Sequence, residues 1–213
     1  MIKNTRSNMI ILIIISLLWI SCGQEIEANL VTLTDKEQFL GAAGNVTLES
    51  FETSSGSNIY SLTTPNFKIT HTGGSGFSVL TEPSPYGTAA TDGSRHLEEI
   101  SGGSPNQFQF YNFQEPLKAF GLFIMDYGDY GNAPLQMIIN NTSTFTIAET
   151  GHPDGNILYF GVVADGGDVI TDVRLLSDDA IGLDEISLAA SVPEPNIFFL
   201  FFCSIIYLFF KRK

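Results

Sequence analysis

Across residues 29–190 the sequence predicts an all-β fold, an antiparallel β-sandwich of jelly-roll-like form with one short helix at its N-terminal edge. Three observations predict it. Beyond Gly44, short apolar or alternating runs are separated by Gly, Ser, Asn, Asp and Pro at intervals of about ten residues, the spacing of short strands joined by turns, and no helical periodicity interrupts them. The run Ala119-Phe120-Gly121-Leu122-Phe123-Ile124-Met125 is apolar on both faces and so needs cover on both sides. The only cysteines, Cys22 and Cys203, lie in the terminal segments, so the domain between them has no disulfide and must hold together by its core. A stretch of this length buries enough surface to do so.

The chain opens with Lys3 and Arg6, an apolar stretch over 9–20, and then small and polar residues. That is the layout of a secretory signal peptide, assigned to residues 1–28 as a signal helix, with Ile26-Glu27-Ala28 as one place for cleavage. Trp19-Ile20-Ser21-Cys22 resembles a bacterial lipobox, which makes Cys22 a candidate lipidation site; an uncleaved signal anchor is the other alternative. Thr34-Asp35-Lys36-Glu37 reads as a capping box, with Phe39 and Leu40 behind it and Gly41 as the stop. Strands are then expected over 46–51, 66–70, 77–80, 96–100, 107–113, 117–125, 135–140, 144–148, 157–163, 170–176 and 181–188. In 107–113, Phe108 and Phe110 share one face, the mark of a half-buried strand.

Charge narrows the partners. Without the two ends, residues 29–195 keep 21 acidic and five basic residues, a net charge near −16 against −13 for the whole chain. Nucleic acid is excluded as an expected partner, because holding phosphates needs clustered Lys and Arg. Calcium and polysaccharide remain compatible with such a surface.

Motifs for catalysis are sparse. His71, His96 and His152 fall in no zinc-binding spacing, and no G-x-S-x-G occurs. Glu98-Glu99 are neighbours on an expected strand and face opposite ways, so they do not make an acid–base pair. Gly73-Gly74-Ser75-Gly76 and Gly102-Gly103-Ser104 lack the lysine and helix of a phosphate loop and read as turns. No catalytic residue is assigned. Asp126-Tyr127-Gly128-Asp129-Tyr130-Gly131-Asn132 is the one constellation with ligand chemistry: Asp126, Asp129 and Asn132 are candidate calcium ligands, on a glycine-bearing loop that supplies oxygen donors. Ordinary turn chemistry explains the same residues. Tyr127 and Tyr130 are either sugar-stacking rings or plugs for the loop's own apolar underside.

The last residues carry an ordered set of signals. Val192-Pro193-Glu194-Pro195 precedes an apolar run over 197–210, expected as a transmembrane helix, and Lys211-Arg212-Lys213 follows as a basic membrane stop. Fourteen residues make about 21 Å of helix, short of the roughly 30 Å hydrocarbon core unless the flanks contribute. The cations favour a cytoplasmic C-terminus, which leaves the domain outside. Residues 191–213 resemble the PEP-CTERM sorting signal of exported bacterial proteins, which implies an exosortase-type membrane enzyme as processing partner. A permanent tail anchor is the alternative.

The domain carries a second resemblance. The order Asp35-Lys36-Glu37-Gln38-Phe39-Leu40, Leu48-Glu49-Ser50-Phe51-Glu52, Ala119-Phe120-Gly121-Leu122, Tyr159-Phe160-Gly161-Val162-Val163, Ile170-Thr171-Asp172-Val173-Arg174-Leu175 and Ile181-Gly182-Leu183-Asp184-Glu185-Ile186 is similar to the β-sandwich ectodomain that accompanies PEP-CTERM signals. It departs at Thr53-Ser54-Ser55-Gly56, where that pattern has a Pro-Gly turn. The resemblance implies export, a sandwich, and no defined activity. The expected function is a noncatalytic cell-surface or extracellular-matrix component associated with exopolysaccharide; the alternative is a calcium-dependent carbohydrate-binding module.

Overall fold

The computed structural model of the chain describes residues 29–85, 87–99, 106–129 and 132–191. The segment 1–28 with Cys22, Ile100, Tyr130, the motif Val192, Pro193, Glu194 and Pro195, the run 197–210, and Lys211, Arg212 and Lys213 lie outside the described residues. In chain order the elements are β1 (Asn29–Leu33), α1 (Lys36–Ala43), β2 (Thr47–Glu49), β3 (Ser61–Thr63), β4 (Lys68–Thr72), β5 (Phe77–Leu80), β6 (His96–Glu99), β7 (Asn106–Tyr111), β8 (Leu117–Met125), β9 (Leu135–Ile139), β10 (Ser143–Ala148), β11 (Ile157–Asp165), β12 (Val173–Ser177) and β13 (Ile181–Ala190). They form two antiparallel sheets, so the described residues make an all-β sandwich with one short helix. The first sheet runs β1-β11-β8-β13-β6-β5, with β2 on the C-terminal part of β13; the second runs β10-β9-β12-β7-β4-β3. Among the described residues no helix is long and apolar enough to cross a membrane.

Period-two alternation builds the core between the sheets. Phe108 and Phe110 of β7, Met137 and Ile139 of β9, and Val173 and Leu175 of β12 point inward, and Leu122, Ile124, Leu183 and Ile186 of the facing sheet meet them. The run 117–125 is a central strand, β8, paired on one side with β11 and on the other with β13. Its second face is also dry because α1 lies on it: Phe39 and Ala43 pack with Ala119, Tyr159, Val163 and Ala189 in a smaller core. The slot for Phe39 is made by two glycines in register, Gly121 of β8 and Gly161 of β11.

The helix differs from its expected bounds. Asp35, not Thr34, is the N-cap: its Oδ1 accepts the N–H of Gln38 at 2.8 Å. Gly41 lies inside the helix, and the stop is Gly44 at φ 81°, a left-handed position that favours glycine. In β13 a bulge at Glu185, φ 50°, shifts the pairing between Asp184 and Ser187, and Lys36 of α1 pairs with the Glu185 carboxylate.

One polar side chain sits in the main core without a partner. His71 of β4 is 3% exposed, lies 4.7 Å (ring centroids) from Phe108, and has neither ring nitrogen hydrogen-bonded. Burial holds its pKa down at about 4. Because the folded value lies below the unfolded 6.5, the unfolded chain takes up the proton first; stability is full above pH 6.5 and falls as pH drops towards 4. The loss amounts to about 3 kcal/mol. His71→Leu is expected to remove this rise with pH from the urea-unfolding free energy, measured as the difference from wild type, and an unchanged pH slope would remove His71 as its source.

Candidate functional site

Strand pairing defines two ends of the sandwich. Pairing of Met125 with Ile157 at one end of β8, and of Leu117 with Ala190 at the other, separates them by about 27 Å at 3.4 Å per strand residue. At the Met125 end the loops after β5, β8, β10 and β12 converge.

Asp126 ends β8 with φ 60°, an uncommon conformation for a residue with a side chain. The turn is held on both sides. The Asp126 N–H donates to the Asn156 carbonyl at 2.8 Å, Asp126 Oδ1 accepts the Gly155 N–H at 2.7 Å, and Asn156 Nδ2 donates to the Tyr127 carbonyl at 2.7 Å. These bonds bring the 149–156 loop beside the 126–134 loop. Carboxylate oxygens of Asp126, Asp129 and Asp154 then lie within 4.8 Å of one another, the first buried and the other two exposed. Gly87 backs the group: a Cβ there would stand 2.9 Å from Asp154 Oδ1 and 3.0 Å from Asp126 Oδ1. Burial, with the neighbouring Asp154 and Asp129 charges, pushes the Asp126 pKa up to about 6. An all-oxygen cluster of this kind matches a hard divalent cation, calcium above all, which also accepts backbone carbonyls.

Sequence reasoning found part of this group. Asp126 and Asp129 lie together in it. Asn132 is placed by a different residue, its backbone N–H donating to Asp178 Oδ2 at 2.7 Å, with the Ala133 N–H on the same oxygen at 2.9 Å. Asp154 was missed, because His152-Pro153-Asp154-Gly155 carries only a turn signal and β10 and β11 bring it alongside. Tyr127 is fully buried, with its hydroxyl donating to the Ala133 carbonyl, so it plugs the loop's underside and offers no sugar platform. Asp179 Oδ2 accepts the Gly128 N–H at 2.7 Å and braces the same loop. Asp165 and Asp168 belong to the opposite end, where Asp168 Oδ2 accepts the Asn29 N–H at 3.0 Å.

Further carboxylates pin the 81–95 loop over the first sheet. Asp184 Oδ2 accepts the N–H groups of Thr91 (2.6 Å) and Asp92 (3.0 Å) and the Thr91 hydroxyl (2.9 Å). Burial raises its pKa against those donors. Glu52 accepts from the Ser94 and Arg95 N–H groups, and the Ser94 N–H leads the bonds that keep its pKa below the ordinary value. Thr88 donates to Glu98 Oε2, and His96 Nε2 lies 3.0 Å from the Thr88 hydroxyl. Burial pushes the Glu98 carboxyl up, but hydrogen bonds from His96, Ser84 and Thr88 outweigh it and hold the pKa low. Thr88, His96 and Glu98 are all at most 2% exposed, so this hydroxyl–imidazole–carboxylate set fastens a loop and offers no approach to a substrate. The spacing of His96 and Glu98, two apart on a strand, was the available signal that they share a face.

No family model matches the chain, and no curated protein matches it. Among solved structures it is similar to the K2 cleaved adhesin domain of Lys-gingipain, with 12% identity and a TM-score of 0.44 over 68% of this chain and 98% of that one. It is also similar to the enzymatically active domain of tailspike protein 4 of bacteriophage CBA120, with 12% identity and a TM-score of 0.34 over 59% of this chain and 19% of that one.

Proposed function

We propose that the chain is an exported, noncatalytic component of the cell surface or extracellular matrix, associated with exopolysaccharide. On this reading residues 1–28 are its signal peptide, residues 29–190 a jelly-roll-like sandwich, and residues 191–213 a PEP-CTERM signal whose transmembrane helix is processed by an exosortase-type enzyme. One observation carries the reading. Asn29 pairs with Asp165, and the Ser191 N–H donates to the Pro116 carbonyl at 2.8 Å, so both terminal segments leave the sandwich at the same end. Two membrane-directed segments can then share one bilayer while the Asp126, Asp129 and Asp154 cluster stands away from it. Glu194→Ala tests the processing step: Glu194 lies outside the apolar run, so insertion is expected to be intact and maturation lost. Fractionation and mass spectrometry should find that variant unprocessed in the membrane. Normal processing would leave a plain tail anchor in place of a sorting signal.

A second reading, a calcium-dependent carbohydrate-binding module, is favoured by a specific observation. Asp126, Asp129 and Asp154 converge from two loops at the end away from Asn29 and Ser191, and burial, with its acidic neighbours, raises the pKa of the buried member.

A further inference from the structure

The outer faces of the two sheets differ. Among the described residues α1 packs on the first sheet alone. On the second sheet the outward side chains keep partial exposure, and the strand register arranges them in rows. One row is Gln136, Leu176 and Gln107, on β9, β12 and β7; the next is Ile138, Arg174 and Gln109. Each row sets a planar hydrogen-bonding group beside an apolar side chain at the roughly 4.8 Å strand spacing.

The first row continues into a cleft of about 300 Å³, lined by Pro134, Gln136, Leu176 and Asp178 among others. Asp178 lines it with its carboxylate already engaged, Oδ2 taking the Asn132 and Ala133 N–H groups. The charges on this face balance. Lys68, over the Tyr111 ring at 5.7 Å, and Arg174 stand against Asp172 and Asp178, and Arg174 Nε already bonds Asp172 Oδ1 at 3.2 Å. A face without net charge, on a domain near −16, suits a neutral chain and gives a polyanion nothing to neutralise.

We propose that this face and its cleft bind an extended neutral polysaccharide. Sugar hydroxyls meet the amides of Gln107 and Gln136, and the C–H faces of the rings lie on Leu176 and Pro134. The site deepens the matrix reading by giving the matrix polymer a chemical class, and it shares no residue with the Asp126, Asp129 and Asp154 cluster.

The test uses the full chain in a detergent without a sugar headgroup, with binding measured by affinity electrophoresis. The gels contain a soluble β-glucan, an α-glucan, a mannan or a galactan, with polygalacturonate as the anionic arm. Retardation by at least one neutral polymer is expected, unchanged in EDTA. Gln107→Ala with Gln136→Ala should weaken it about thirtyfold without lowering Tm, since each of the two lost hydrogen bonds contributes on the order of 1 kcal/mol. Gln38→Ala on the exposed side of α1 should leave it unchanged. The proposal is overturned by no retardation in any neutral polymer, by a preference for polygalacturonate, by full binding in the double variant, or by loss of binding in EDTA, which would place the ligand at the acidic loops. Glycan binding by a protein whose tail is never processed would sink the sorting reading and leave this one standing.

Discussion

Gly161→Ala is expected to unseat α1 and to lower the stability of the domain by about 3 kcal/mol. A Cβ at Gly161 would lie 2.8 Å from Phe39 Cε2 and closer still to Cδ2, and the neighbour cannot swing aside. Phe39 is fully buried, edge-on to Tyr159 at 5.6 Å, and across the strand pair Gly121 already has Phe39 Cζ at 3.1 Å from where its own Cβ would stand. Either β11 bends or the helix lifts. Overpacking a tight core costs about 1–3 kcal/mol, and losing a buried Phe about 3–5 kcal/mol, so the substitution falls where the two ranges meet. For a domain of this size each kcal/mol moves Tm by about 2–4 °C. In a Phe39→Ala background the same change should be nearly neutral, because the ring that it strikes is gone. Equal penalties in both backgrounds would mean that the glycine pair serves something other than the Phe39 slot.

Calcium is expected to raise the Tm of the wild type and to leave Asp126→Asn unmoved. The folded pKa of Asp126, about 6, lies above the unfolded 3.8, so its contribution to stability is fully present below pH 3.8 and is lost as pH rises through 6. At neutral pH the cation-free fold therefore carries a penalty of up to about 3 kcal/mol at this residue. A bound divalent ion offsets it and expels the proton, so calcium uptake near pH 6 should release acid. At 100 times its dissociation constant the ion adds about 2.7 kcal/mol. His71 acts in the opposite direction over nearly the same interval, so His71→Leu is the background in which the Asp126 term is cleanest. Identical melting curves in calcium and in EDTA would remove the metal from the account.

Much of the fold is legible in the sequence because the physics that sets it is local. Alternation in β7 and two-faced apolarity in β8 follow from which faces are dry, and both elements lie where the residues put them. β1 and β3 were not visible. Each is a short strand at the end of its sheet, with most of its side chains exposed, so neither carries an alternating apolar signal. The candidate site was half legible for a related reason. Asp126 and Asp129 are three apart in one loop, whereas Asp154 joins them only because β8 and β11 pair, and no spacing in the chain records that pairing. The carboxylates that pin the 81–95 loop were equally hidden: Asp184 and Thr91 are 93 residues apart. Tyr127 shows the opposite case, since an aromatic in an acidic loop carries no mark that distinguishes a plug from a platform until its burial is known.

The claim that this is an exported surface protein, released from its membrane segments, is tested most directly by the intact mass of the protein recovered from outside the cytoplasmic membrane. One number reports both ends of the chain. The account predicts a species that has lost the apolar run 197–210 and its basic end, and that begins beyond the N-terminal apolar stretch, at Cys22 with a lipid or near Asn29 without one. A mass equal to the full 213 residues would contradict it.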